Sequence, residues 1–375
     1  GLLTAVRLAC SGHKVTVLDV ERVGSGATCA NHGMLHSGAL YARQSPHIVA
    51  FCREAQDFYS RLAPEAEIPA GEAVYVLAPG DEQAFRTALD AHHLAHRAVE
   101  ATDVPGLRAS SVAGQKLVAT TERAISSRRL LEAATAQCLA AGVRFVLGTA
   151  AHSIIVTNGR ARAVRTGSGE LLEADHIVLA AGLGTRRILA ELESKHAPDL
   201  KSRLDMMMRL PGTLARGIIF TNQSGPVAMP GPRGSVLASL YGGIQPQIAG
   251  CRRFPVTMER AQLLLQQLRE LLEPGTVDLD DATVYTVGKT DYVGTDHAIG
   301  GLFNPGHRII DHRDDDGITG LHTICTGKMT LAGHASRDCA EQILGHRVAL
   351  PIHPRPAPPV PDGLVAVEPW ATVAA

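Results

Sequence analysis

Residues 24–41, GSGATCANHGMLHSGALY, gather many of the groups in this chain that could do chemistry at a bound ligand. Gly24, Gly26, Gly33 and Gly38 leave the backbone bare, so its N–H groups can approach a phosphate or a heteroaromatic edge closely. Between them stand Thr28, Asn31, His32, His36 and Tyr41, which offer hydroxyl, amide and imidazole partners. An imidazole titrates near neutral pH, so His36, and after it His32, is a candidate base for a hydroxyl proton. The alternative for both is a hydrogen bond to ligand or backbone. Tyr41 is either a substrate contact or a core aromatic with its hydroxyl satisfied.

A second constellation joins Gly1 to Asp19. Residues 2–10 (LLTAVRLAC) carry apolar positions at helical spacing, Gly12 closes that helix, and HKVTVLD reads as a buried parallel strand ending at Asp19. Helix, glycine turn, strand and acid form the second half of a βαβ dinucleotide unit. In such a unit a glycine at the helix N-terminus admits a pyrophosphate and the acid accepts ribose hydroxyls. The spacing suits the last glycine of GxGxxG and its acid; the alternative is an ordinary α/β unit in which Asp19 merely ends a strand. The chain opens mid-helix and without Met, so a preceding piece with the first strand and the other two glycines is expected. A chain truly starting at Gly1 is expected to fold poorly and bind its dinucleotide weakly.

The loop resembles the flavin-contacting loop of the D-amino-acid oxidase superfamily. Within it, the loop is most similar to the group formed by L-2-hydroxyglutarate dehydrogenase and the large subunit of anaerobic glycerol-3-phosphate dehydrogenase. That group carries GAT-x-x-N-[HS]-G-x-[LI]-H-S-G-x-x-Y, matched here through Gly26, Ala27, Thr28, Asn31, His32, Gly33, His36, Ser37, Gly38 and Tyr41. IVLAAGLGT (177–185) resembles the family strand that ends in AAG beside the flavin. Residues 308–328 resemble its C-terminal stretch, where a strand feeds a Gly-Gly-Lys turn and a helix whose N-terminus faces the flavin pyrimidine edge. The resemblance spans about residues 1–345 and implies bound FAD. It implies cofactor contacts from Gly1, Asp19, Gly26, Ala27, Thr28, Asn31, His32, Gly33, Ala151, Ala181, Gly182, Thr326, Gly327 and Lys328.

Departures from the resemblance fall on the substrate side. Leu40 stands where the glycerol-3-phosphate enzymes carry an Arg suited to phosphate, and Thr326 replaces one glycine of the Gly-Gly-Lys turn. Lys289, in Thr286-Val287-Gly288-Lys289-Thr290, stands where the family carries the Arg of Gly-Val-Arg-Pro. A Lys is a point charge and not a fork, so anion recognition would be looser. The resemblance therefore implies oxidation of a CH–OH group in a small hydroxy acid, polyol or sugar-like alcohol, by hydride transfer to flavin. His36 would act as base, with Lys289, Tyr41 and Lys328 at the substrate, and a quinone, a protein partner or oxygen would reoxidise the flavin. Two alternatives stay open: CH–NH oxidation of the amino-acid or sarcosine type, and a flavin-binding subunit without turnover. A loop histidine is also a candidate covalent flavin attachment point.

The elements that must position these groups alternate along the chain. Helices are expected at 47–62, 81–97, 128–141 and 257–273, strands at 72–78, 143–147 and 175–181, and a turn and a strand over 317–327, with a helix beginning near Lys328. Hairpin turns are expected at Asn158-Gly159 and Gly167-Ser168-Gly169. This gives an α/β fold: a discontinuous Rossmann-type FAD domain (1–62, 125–190, 290–345), an α+β substrate domain (63–124, 191–289), and a Pro-rich tail at 346–375 without a core of its own. Met206-Met207-Met208 and the Leu-rich 262–272 stretch read as core, and Arg252-Arg253 and Asp314-Asp315-Asp316 as solvated turns.

Composition limits the partners. The 375 residues carry a net charge of −1 with 19% charged and 45% apolar residues, and no basic run points to nucleic acid. No stretch approaches the ~18 apolar residues of a spanning helix. Seven scattered cysteines without a CxxC pair disfavour disulfides and zinc, and no metal site is read among the 17 histidines. A cytoplasmic protein is expected, with a peripheral membrane position left open.

Overall fold

The computed structural model describes residues 1–69, 71–214, 217–221, 225–241, 244–245, 254–293, 306–350 and 358–371. Arg252-Arg253 lie outside the described residues. Helix α1 (Leu2–Cys10) has Gly1 as its N-cap and ends where Gly12, at φ +89°, turns the chain into β1 (Thr16–Leu18). Far along the sequence, α2 (Ser127–Ala140) is capped by the Ser126 hydroxyl, which accepts from Arg129 N at 3.3 Å. It returns the chain to β3 (Arg144–Val146), which lies parallel to β1 with Thr16 opposite Arg144. A hairpin then forms from Ala151–Thr157 and Arg160–Thr166, turning at Asn158 and Gly159, both left-handed, as a two-residue Asn-Gly turn requires.

The chain continues through β4 (Ile177–Leu179) directly into α3 (Leu183–Glu191), opened by Gly182 at φ +53°. β4 pairs in parallel with β7 (Leu321–Thr326), whose other edge takes His307–Asp311 antiparallel. After β7 comes a 3-10 turn at Met329–Leu331, and only then α4 (Ala332–Leu344), so the helix expected near Lys328 starts later. The Thr326 hydroxyl accepts from Lys328 N and donates to Lys328 O, which folds the turn back on itself before the helix begins. α4 packs on α1, where Arg7 Nε donates to Ser336 Oγ at 3.1 Å.

A second, nine-stranded sheet among the described residues is built on β5 (Leu200–Pro211) and β6 (Thr283–Tyr292), antiparallel over ten pairs from Leu200↔Tyr292 to Arg209↔Thr283. The far side of the sheet includes β2 (Ala73–Leu77). Met206, Met207 and Met208 are buried, and Leu264, Leu268 and Leu271 of the helix Met258–Leu271 close the core that holds Met206 and Met208, as expected. No helix among the described residues is long and apolar enough to cross a membrane.

Three expectations need correction. The helix expected over 81–97 stops at Ala91, and Arg97–Val99 is a strand instead. His93 takes φ +52°, His93 N bonds to Asp90 O and Leu94 N to Leu89 O, with Leu94 buried behind them; this is a Schellman end made without glycine. Asp314-Asp315-Asp316 is solvated only in part: Asp314 and Asp315 are exposed, but the stretch closes the short helix His312–Asp316, and the Asp316 carboxylate meets Ser194 Oγ and His312 Nδ1, both at 2.6 Å. The C-terminal stretch is not without a core contact either, because Val365 and Ala366 are buried against Val23, Cys29 and Leu131.

Candidate active site

One cavity of about 2780 Å³ brings the predicted residues together. Gly1, Asp19, Gly26, Ala27, Thr28, Asn31, His32, Ala151, Ala181, Gly182, Thr326 and Gly327 line it, together with His36, Tyr41, Lys289 and Lys328. Gly33 stands outside the lining. It sits at φ +81°, where any side chain would run into the Ile125 carbonyl, and its own carbonyl accepts from Ile125 N at 2.8 Å. Its role is the close approach of two backbones.

At one wall the N-terminus of α1 opens on the cavity at Gly1, where the helix leaves N–H groups without intrahelical partners. Asp19 is fixed just past β1: its N–H bonds to Val146 O, and its side chain accepts from Glu21 N at 3.0 Å. The Gly-rich loop is not featureless. Ala27–Ala30 makes one helical turn that the Asn31 side chain closes, donating to Thr28 O and accepting from Gly33 N at 2.6 Å and Ser127 Oγ at 3.2 Å. The Asn31 amide therefore shapes the loop.

His32 accepts from Met34 N through Nδ1 at 3.2 Å, which leaves the proton of a neutral ring on Nε2. Burial, and then the nearby Lys289 cation, hold its pKa down to about 3. It is thus neutral at working pH and can donate from Nε2, but it is no proton store. The depressed value has a consequence for acid stability. His32 titrates near 6.5 when unfolded, so the stability it contributes is present above that pH and is lost as pH falls toward 3, at about 1.4 kcal/mol per unit. His32→Asn, which keeps an acceptor for Met34 N, is expected to show a shallower loss of urea-unfolding free energy than the wild type between pH 6.5 and 4.5. Equal slopes would refute the assignment.

His36 is held differently. Its backbone N donates to Thr330 Oγ1 at 3.2 Å, and its ring meets Tyr41 edge-on at 5.1 Å. Nδ1 lies 3.6 Å from Oε2 of Glu122, so a charge on that ring would face a carboxylate. Glu122 is buried and anchored by Ser37 N at 2.5 Å and by the Tyr75 hydroxyl at 2.9 Å. Burial pushes the Tyr41 phenol well above its ordinary value, so it stays protonated.

Across the cavity, β5 and β6 put two cations side by side. Arg203 and Lys289 are cross-strand partners, and Asp205, two residues along β5, points to the same face. Asp205 Oδ1 lies 2.7 Å from Arg203 Nε and Oδ2 lies 3.0 Å from Lys289 Nζ, with the carboxylate fully buried. The three groups carry one net positive charge between them. Arg203 also covers the Tyr241 ring at 5.1 Å.

Lys328 lies with its ammonium 5.5 Å from the Tyr41 ring centre. Burial lowers its pKa to about 8 against the opposing pull of Asp291, and burial raises Asp291 to about 7 against the pull of Lys328. Asp291 accepts from Tyr292 N at 2.8 Å and lies against Gly327, where any side chain would strike the carboxylate. This explains the glycine before Lys328.

Sequence reasoning missed Glu122, Arg203, Asp205, Tyr241 and Asp291. A signal existed for two of them: Arg203 and Asp205 sit at alternate positions of the otherwise largely apolar LKSRLDMMMRLP, where one face must hold them together.

The lining fits FAD. A bare helix N-terminus at Gly1 and an acid at the end of the adjacent strand suit pyrophosphate and ribose, and Gly26, Gly182 and Gly327 leave backbone exposed along the same cavity. Comparison with known proteins agrees. Residues 1–341 match the family described as FAD dependent oxidoreductase, DAO. One subunit of the anaerobic glycerol-3-phosphate dehydrogenase from Escherichia coli (strain K12) is 24% identical over 333 residues, 86% of this chain and 60% of that protein. The Shigella flexneri protein of the same name matches equally, so the chain spans 60% of the length of the curated relatives it matches. Glycine oxidase from Geobacillus kaustophilus superimposes with a TM-score of 0.75 at 16% identity over 96% of both chains. L-proline dehydrogenase from P. horikoshii gives 0.69 at 14% identity over 94% of this chain and 92% of its own. At such identities these structures establish the fold alone. With the family match running over nearly the whole cavity, the chain belongs to the DAO family of FAD-dependent oxidoreductases.

Proposed function

We propose that this flavoenzyme oxidises the CH–OH carbon of a small hydroxy acid, with FAD, when bound, supplying the two-electron acceptor. The observation that carries the reading is the His36 ring, its Nδ1 3.6 Å from Glu122, lining the same cavity as Arg203 and Lys289. An alcohol must lose a hydroxyl proton as well as a hydride, and a histidine backed by a carboxylate is suited to take it. Glu122 faces Nδ1, so the proton would arrive at Nε2. An amine can react as its free base and has no hydroxyl proton to lose. The same pair therefore favours an alcohol over amine oxidation of the kind that the names glycine oxidase and L-proline dehydrogenase describe.

The cluster on β5 and β6 supplies the other half of the recognition. Arg203 and Lys289 both line the cavity, so a substrate carboxylate that binds beside them meets two cations, and burial strengthens that attraction. A polyol brings no such charge. Leu40 packs into the apolar core next to Tyr41 and gives no cation for a phosphate. Tyr41, protonated, and Lys328 line the same cavity as further donors.

The test is anaerobic bleaching of bound flavin by 2-hydroxy acids, polyols, amino acids and glycerol 3-phosphate in turn. Bleaching by hydroxy acids is expected, and Arg203→Gln should raise KM roughly 10- to 100-fold with a smaller change in kcat. Bleaching by amino acids without any response to hydroxy acids would overturn the reading.

A further inference from the structure

We propose that residues 364–371, beyond the stretch that matches the family, form a strap that holds the Gly-rich loop in place and so helps to hold FAD. The strap meets the chain just before the loop's first residue. Val23 N donates to Leu364 O at 3.0 Å and Ala366 N donates to Val23 O at 2.9 Å, a parallel bridge of Val23 to Val365. Immediately after Val23 the chain enters Gly24, Ser25, Gly26, Ala27 and Thr28, all of which line the cavity. The strap also reaches the loop's short helix, where Ala366 O lies 3.6 Å from Cys29 Sγ.

Side chains lock this attachment. Val365 and Ala366 are buried among Val23, Cys29 and Leu131. Glu368, itself buried, pairs with Arg128 at 3.4 Å in the first turn of α2. A carboxylate with so little access to water needs its cation, so the segment is docked at a fixed register. Three residues of the strap, Ala366, Val367 and Pro369, are cavity wall. Its far end reaches the second sheet: the Trp370 ring lies 5.6 Å from Tyr285 on β6, the strand that carries Lys289. The strap therefore ties the loop beside the cofactor to a strand beside the substrate.

The consequence for affinity follows from linkage. A ligand that needs the loop in one arrangement binds more weakly in proportion as that arrangement is less populated. Ligand and strap then stabilise each other reciprocally. The inference rests on FAD binding and is independent of which substrate is oxidised.

The test uses the full chain. Hydrogen exchange over 364–371 is compared with and without FAD, and the FAD Kd is measured for Ala366→Pro, which removes the donor to Val23 O, and for Glu368→Gln. FAD is expected to slow exchange at Ala366 by at least about tenfold, and each variant should weaken FAD binding several-fold to roughly tenfold. Trp370 is the chain's one tryptophan, so its emission should shift to the red in a variant whose strap has left Tyr285. Exchange over 364–371 that ignores FAD overturns the proposal, as does a folded Glu368→Gln that binds FAD within twofold of wild type. Should Ala366→Pro fail to fold, the wild-type exchange and Glu368→Gln decide the matter.

Discussion

Replacing His36 with Gln is expected to lower the rate of flavin reduction by a saturating hydroxy acid by about 10²- to 10⁴-fold, the range of a lost general base. FAD should remain bound, because the bond that holds this stretch to the 329–331 turn comes from the His36 backbone N to Thr330 Oγ1. Rapid-mixing absorbance under anaerobic conditions reads the step directly. Added imidazole is expected to restore part of the rate, which a merely structural role for the ring would not allow. Glu122→Gln should act through His36 and is the sharper control. Its one amide oxygen can still accept from Ser37 N while its NH2 group donates to the Tyr75 hydroxyl oxygen, yet the carboxylate facing Nδ1 is gone. A smaller rate loss with a displaced pH profile is expected of it. A His36→Gln rate within threefold of wild type would place the base elsewhere in the cavity.

The second large effect is on stability. Asp205→Asn leaves Arg203 and Lys289 facing each other across the β5–β6 ladder with their shared carboxylate gone, in a place where all three groups are largely removed from water. Breaking a buried ionic cluster in this way costs about 3–5 kcal/mol. Urea unfolding should show it as a lower midpoint with an unchanged slope. Adding Lys289→Met to Asp205→Asn is expected to recover a substantial part of the loss, because one buried cation is easier to accommodate than two. An Asp205→Asn protein within about 1 kcal/mol of wild type would mean that water reaches the cluster well enough to replace the carboxylate.

What is legible in the sequence is what lies close along the chain. The loop at 24–41 carries its glycines, histidines and Asn31 within one stretch, and Gly1 and Asp19 flank a single helix–turn–strand unit. The hairpin at Asn158-Gly159 is legible for the same reason: two residues decide the turn. The partners that give these groups their chemistry come from far away. Glu122 is brought to His36 by the antiparallel pairing of Met34 and Leu35 with Ala124 and Arg123, and Arg203 to Lys289 by the register of two strands far apart in the chain. No periodicity signals such pairs. Lys289 reads as a weakened anion contact, but the compensation for its missing fork, Arg203 on the neighbouring strand, shows only in the ladder.

Local errors have local causes. The helix from Glu82 ends early because His93 accepts a backbone conformation usually left to glycine, and a stop without glycine or proline is invisible to pattern reading. The acidic 314–316 stretch reads as solvated because three adjacent carboxylates repel. The structure instead buries Asp316 with Ser194 and His312, and leaves Asp315 exposed beside His196. Helix α3 hides behind the strand it follows, since Gly182 turns one element into the next with no intervening loop.

The shared carboxylate of Asp205 also bears on how a pocket of this kind can diverge over generations. A cation on either strand reaches the same side of the cavity, and either one satisfies Asp205 while the other changes. Arginine and lysine can therefore exchange places between β5 and β6 by single substitutions, none of which strands a buried charge. A lineage can retune which anion it prefers along such a path without passing through an ancestor that fails to fold.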